Sequence, residues 1–337
     1  MSSFSPTMAE LRSQIEAELV RFLRAKRATL PDAGALLDEV DRMIAAGGKR
    51  LRPAFCYWGY RATGLPHGEE IVRSAASLEL LHTFAIVHDD IMDESDERRG
   101  EATVHALHGI DVAILAGDLA LVLADGAFMS AGWEASKLTG AFVAYSRMRE
   151  EVIAGQYLEL ACSDEVEITE DQARRIARLK SGRYTIEEPL AIGAALAGAA
   201  PELVEGLGRY GRPLGEAFQL RDDLLGTFGD RSTVGKPVDS DIREGKRNLL
   251  YAKTVSVTTG EDHRFLTERW GAGSALTADE VERLRGIVEG SGARAATEKL
   301  LGDLVDQATE SLRCLGLDRA SEAALAELIT QATARTF

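Results

Sequence analysis

Two acidic clusters carry the residues whose types and spacing best suit chemistry, Asp89-Asp90-Ile91-Met92-Asp93 and Asp222-Asp223-Leu224-Leu225-Gly226. Each lies at the C-terminal end of a strongly apolar run with helical periodicity. Asp89 and Asp93 stand at i and i+4, so both carboxylates project from one helix face, about 6 Å apart along the axis. Like charges at that spacing repel, at a cost of a few tenths of a kcal/mol. A divalent cation reverses the repulsion, and hard carboxylate oxygens suit Mg²⁺ or Mn²⁺. One such cluster is explained as well by a solvated helix end; a second shifts the balance to metal binding. Gln219 shares the helical face of Asp222 and Asp223, and His82, two turns before Asp89, shares the face of the first cluster. That alignment favours a ligand role for His82 over a structural one.

Basic residues suited to phosphate come in compact groups. Lys49, Arg50 and Arg52 sit within Gly47-Gly48-Lys49-Arg50-Leu51-Arg52-Pro53, and Arg98-Arg99-Gly100 follows the first acidic cluster. Glycine lets the backbone approach an anion, and arginine supplies paired donors. The first block is not a Walker A loop, since the GxxxxGK[ST] spacing is missing and no strand precedes it. Lys180-Ser181, Lys236 and Lys246-Arg247 add cations in or beside loops. Together these groups fit metal-bound diphosphate held by carboxylates, with separate basic residues for a second anion.

The elements that must position these residues are helices. The chain has 337 residues, 45% hydrophobic and 28% charged, which excludes disordered, collagenous and disulfide-scaffold classes. A net charge of −15 argues against a nucleic-acid partner and means that an anionic substrate needs a local basic pocket or bridging metal. Cys56, Cys162 and Cys314 show neither disulfide nor zinc spacing, and residues 1–11 lack a signal-like apolar run, so a cytoplasmic protein is expected. The most apolar window, residues 190–200, is too short for a membrane span. Leu11, Ile15, Leu19, Phe22 and Leu23 repeat at helical spacing, and Thr169/Gln172 and Thr277/Glu280 form capping boxes. The β-branched run Thr254 to Thr259 reads as a helix end. Loops are expected at Gly47-Gly48, 64–68, 229–237, 259–262 and 271–274, none of them a domain linker. One all-α domain spanning 1–337 is favoured over a two-domain split.

In the order and spacing of these motifs the chain resembles the trans-isoprenyl diphosphate synthases, or polyprenyl synthetases, from the Gly-Gly-Lys-Arg-Leu-Arg-Pro block to the Lys246 region. The resemblance implies a bundle of ten or more helices around a central active-site cavity, in a homodimer. It implies that Asp89, Asp93 and Asp222, with Asp90 and Asp223 close by, hold three Mg²⁺ on an allylic diphosphate, Mn²⁺ being an alternative. Arg98, Lys180 and Lys236 grip that diphosphate with Lys246 nearby, while Lys49, Arg52, His82 and Arg99 hold isopentenyl diphosphate without metal. Lys180 through its carbonyl, Ser181 through its hydroxyl and Gln219 stabilise the allylic cation. Gly226 stands where a full DDxxD would have its third aspartate, a variant the family uses, and makes Asp222 more critical.

Product length, on the same resemblance, is set by Ala85, Phe84 and Leu81, which lie four, five and eight residues before Asp89. Small Ala85 with a Phe84 and Leu81 floor is the pattern of geranylgeranyl (C20) synthases, with farnesyl (C15) synthases the nearest rival. A terpene cyclase of similar fold would not need Lys49, Arg52 and Arg99. A non-catalytic partner subunit would have lost aspartates that are intact here.

Overall fold

The computed structural model describes residues 5–229 and 239–334. The chain groups into two compact units, each built from non-contiguous segments: residues 1–145, 188–208 and 315–328 in the first, and 146–187, 209–314 and 329–337 in the second.

In the first unit, α1 (Met8–Thr29) starts at a capping box between Thr7 and Glu10 and buries Leu11, Ile15, Leu19 and Leu23. A short helix, α2 (Gly34–Ala45), leads into the glycine loop. Its last residue, Arg50, has a left-handed φ of 53° at the cap of α3 (Leu51–Arg61), with Pro53 tolerated in the first turn. Helix α3 is buried on every side. It packs on α9 (Glu188–Ala197) through glycines, because a Cβ on Gly193 would lie 2.7 Å from the Tyr60 nitrogen and one on Gly59 would lie 2.9 Å from Leu190 Cα. Gly193→Ala is therefore expected to destabilise the protein by about 1–3 kcal/mol. A thermal melt checks this, and an unchanged melting temperature would contradict the close packing.

Helix α4 (Glu69–Met92) carries the first acidic cluster at its C-terminus, where the Asp93 N–H donates to the Asp89 carbonyl at 2.8 Å. The chain then makes a hairpin that the sequence reading did not anticipate. Strands β1 (Glu97–Arg98) and β2 (Glu101–Ala102) pair antiparallel, with Arg98 opposite Glu101. Arg99 and Gly100 between them both have positive φ, 55° and 80°, the requirement of a type I′ turn. After α5 (Val104–His108), α6 (Ile110–Met129) packs on α4 with its small residues Ala113, Ala116, Gly117, Ala120 and Ala124 buried. This helix, rather than residues 190–200, is the most membrane-like by length and composition. One face of it, the small residues just named, is buried against α4, while Ile110, Leu115, Val122 and Met129 are exposed.

Helix α7 (Ala135–Cys162) contributes its residues from 146 onward to the second unit. There α8 (Glu170–Ala177) begins at the expected Thr169–Gln172 capping box and continues as a π-helix, Arg178–Glu187. Helix α10 (Pro201–Phe228) carries the second acidic cluster. Later helices, including Leu249–Val257, Gly260–Arg269 and Ala278–Gly290, surround a core of Leu224, Ile242, Tyr251, Leu266, Trp270 and Leu284. The β-branched run is the end of Leu249–Val257, where the Thr254 hydroxyl bonds back to the Leu250 carbonyl at 2.7 Å. The loop expected at 259–262 is instead the start of a helix capped at Thr259.

Candidate functional site

Within the first unit the glycine loop, α4 and the hairpin bring the basic residues together. Arg99 donates to the Gly47 carbonyl, and a Cβ on Gly48 would lie 3.2 Å from the Arg99 guanidinium. Gly48 thus leaves the space that Arg99 fills, at a φ of 142° that other residues rarely adopt. Lys49 is exposed and Arg52 partly exposed. Arg50 turns inward instead: it is 5% exposed, pairs with Glu79 at 2.6 Å and donates to the Ile44 carbonyl at 2.6 Å.

The charges leave a signature on their neighbours. Burial, then the positive charges of Arg52, Arg99, Arg98 and Arg50, hold the His82 imidazole well below its ordinary value. At neutral pH His82 is therefore an uncharged hydrogen-bonding group beside guanidinium groups. Desolvation, together with Arg98, Arg50 and Arg52, also lowers Arg99, opposed by Glu79. Arg50 and Arg98 have carboxylate partners in Glu79 and Asp90, which leaves Arg52 and Arg99 as the cations beside His82 suited to an anion.

The first acidic cluster divides into two roles. Asp90 is 1% exposed and receives Arg98 at 2.7 Å, while Asp89 receives the same guanidinium at 3.3 Å. Asp89 and Asp93 are partly exposed at the helix end, where a cation can reach them. One and two turns earlier, Ala85 and Phe84 are partly exposed and Leu81 is fully buried. The Phe84 ring meets the His88 ring edge-on, with centroids 5.0 Å apart. His88 in turn lies against Gly117 of α6 and within 3.1 Å of the Ile114 carbonyl.

In the second unit, Lys180 and Ser181 lie in the π-helix, both partly buried, and Lys180 pairs with Glu159 of α7. Along α10, Gln219 donates to Asp223 at 2.6 Å. Asp222 is partly exposed and Asp223 is 4% exposed. Burial raises the Asp223 carboxyl well above the usual carboxylate range, reinforced by Asp241 and Asp222 and opposed by Gln219 and Lys246. Lys246 pairs with Glu244 at 2.9 Å. Lys236, and the loop expected at 229–237 from residue 230 onward, lie outside the described residues.

Asp241 and Glu159 are the site residues that sequence reasoning missed. A Cβ on Gly226 would lie 2.5 Å from Asp241 Cγ and 2.8 Å from its Oδ2, so the glycine in the second motif makes room for the Asp241 carboxylate. Asn248 holds that carboxylate from the other side at 3.0 Å. Crowded carboxylate oxygens of this kind fit a hard divalent cation, which would offset the repulsion that adds to burial at Asp223. In the first unit Asp89 and Asp93 offer donors of the same chemistry.

The polyprenyl synthetase family model matches residues 34–287. The short chain isoprenyl diphosphate synthase of Methanothermobacter thermautotrophicus is 34% identical over 86% of this chain and 87% of its own length. The geranylgeranyl diphosphate synthase of Saccharolobus solfataricus is 32% identical over 90% of this chain and 89% of its own. Other relatives are named farnesyl and geranylfarnesyl diphosphate synthases. Among solved structures, a Corynebacterium glutamicum geranylgeranyl pyrophosphate synthase, complexed with isoprenyl diphosphate and magnesium, aligns with a TM-score of 0.93 and 32% identity, covering 98% of this chain and all of that one. With its all-α fold and its matching family motifs, the chain belongs to the polyprenyl synthetase family and is a trans-prenyltransferase of the short-chain prenyl diphosphate synthase kind.

Proposed function

We propose that the chain condenses isopentenyl diphosphate with C5 to C15 allylic diphosphates to give an all-trans product, geranylgeranyl diphosphate, using Mg²⁺. The observation that carries the elongation reading is the seating of Arg99 against the Gly47-Gly48 loop, beside Lys49, Arg52 and His82. A cyclase, with one diphosphate substrate, has no use for that second anion seat. Lys49, Arg52 and Arg99 bind the isopentenyl diphosphate, and neutral His82 contributes a directional hydrogen bond. Asp89 and Asp93, and separately Asp222 and Asp223, would hold Mg²⁺, which when bound supplies charge stabilisation to a departing diphosphate. Asp90 fixes Arg98, and Arg98, Lys180, Lys236 and Lys246 bind the allylic diphosphate. The Lys180 carbonyl, the Ser181 hydroxyl and the Gln219 amide oxygen present fixed dipoles to positive charge developing on the allylic carbons. The final proton goes to the released diphosphate, so no side-chain base is required.

Small Ala85 beside the larger Phe84 and Leu81 on α4 is the pattern behind the C20 assignment, with Ala85 and Phe84 partly exposed and Leu81 fully buried. Phe84 and Leu81 form the floor. Phe84→Ser is expected to shift the product beyond C20, as read by mass spectrometry of the prenyl chains. An unchanged product distribution would refute the floor.

The units share helices α7 and α10, which supports a single functional domain over 1–337. Helix α6 leaves Leu115, Val122 and Met129 exposed at two-turn intervals, an apolar stripe suited to a second copy of the chain in a homodimer. The three cysteines are free, in keeping with a cytoplasmic enzyme.

A further inference from the structure

The π-helix Arg178–Glu187 is gripped on two sides by backbone contacts that only glycine permits. On one side, a Cβ on Gly155 of α7 would lie 2.7 Å from Lys180 Cα and against the Lys180 nitrogen. On the other, a Cβ on Gly182 would lie 2.8 Å from the Gly215 carbonyl carbon, and one on Gly215 of α10 would lie 2.6 Å from the Gly182 oxygen. Ion pairs flank both contacts. Arg183 reaches Glu151 on α7 at 2.9 Å, and Glu187 reaches Arg212 on α10 at 3.4 Å. Not every helical glycine here has this function, since a Cβ on Gly140, also in α7, would meet nothing within 4 Å.

A π-helix this long is rare and persists only where surrounding structure over-determines it. We infer that Gly155 and the Gly182–Gly215 pair are positioning residues: they clamp the π-helix so that the Lys180 ammonium, the Lys180 carbonyl and the Ser181 hydroxyl are aimed before substrate arrives. This rests on the reading of Lys180 as a contact to the allylic diphosphate and the developing cation. A methyl group at Gly155 pushes on the main chain of Lys180 itself, and a misplacement of about 1 Å in such a group costs on the order of 10²-fold in rate.

The test is a steady-state comparison of wild type, Gly155→Ala, Gly215→Ala, Gly140→Ala and Lys180→Ala, plus the Gly155→Ala/Lys180→Ala double variant. Expected are a fall in kcat of about tenfold or more for Gly155→Ala and Gly215→Ala, KM for isopentenyl diphosphate within about twofold of wild type, and an unaltered Gly140→Ala. In the double variant, Gly155→Ala should lower kcat by a smaller factor than it does alone, because the ammonium, one of the three groups the clamp aims, is already gone. Full additivity, or wild-type kcat in both glycine variants, would overturn the clamp. Wild-type activity in Lys180→Ala would instead overturn the reading of Lys180, and the clamp with it. Should the glycine variants fail to fold, amide hydrogen exchange of the wild-type chain decides. Residues 178–187 of the free protein should exchange as slowly as α10, and rapid exchange there would overturn the clamp.

Discussion

Asp89→Ala and Asp222→Ala are each expected to lower turnover by roughly 10²–10³-fold, the scale seen when one preorganised electrostatic contact to developing charge is removed. Both aspartates are partly exposed at the ends of apolar helical runs, and neither belongs to the buried core. The variants should therefore keep the wild-type helical circular dichroism and melting temperature. Asp90→Ala should behave differently. Its carboxylate is buried against Arg98, so its loss leaves a guanidinium without its main counter-ion and lowers stability as well as activity. Near-normal turnover in Asp89→Ala or Asp222→Ala, measured at saturating Mg²⁺ and both substrates, would count directly against the metal reading.

The largest stability effect is expected at Arg50 and Glu79. Their side chains are 4% and 5% exposed and meet at 2.6 Å, and Arg50 also binds the Ile44 carbonyl. Removing one partner of a buried pair costs about 3–5 kcal/mol, less for loss of Glu79, since Arg50 also reaches Glu16 at 3.4 Å. Arg50→Met or Glu79→Gln should lower the melting temperature by about 4–7 °C. The Arg50→Met/Glu79→Met double variant should recover part of the loss, since apolar residues of similar volume can replace a buried pair. An undiminished melting temperature in both single variants would refute the structural role of the pair.

Lys49, Arg50 and Arg52 show how far the sequence could be read. Three cations in four positions point to a phosphate site, and the family resemblance singles out Lys49 and Arg52. Only the backbone shows why Arg50 is different: its left-handed conformation at the cap of α3 sends the side chain into the core. The acidic clusters were legible because their carboxylates are neighbours on one helix, where spacing fixes geometry. Asp241 was not, because it reaches Gly226 from a separate helix, Ser240–Glu244, and no local spacing encodes that approach. The same holds for Glu159 against Lys180, and for Gly155, Gly182 and Gly215, which lie on three elements. The π-helix escaped because Arg178–Glu187 has only Leu179, Tyr184 and Ile186 as large apolar positions, too few to define a period. The hairpin escaped because two-residue strands are too short to alternate.

Elongation to C20 is read out by incubating the purified chain with isopentenyl diphosphate, Mg²⁺ and the C5, C10 or C15 allylic diphosphate in turn, and identifying products by mass. A dominant C20 prenyl diphosphate is expected from all three primers. Release of diphosphate without chain growth would contradict elongation, and products stopping at C15 would contradict the assignment of Ala85 and Phe84.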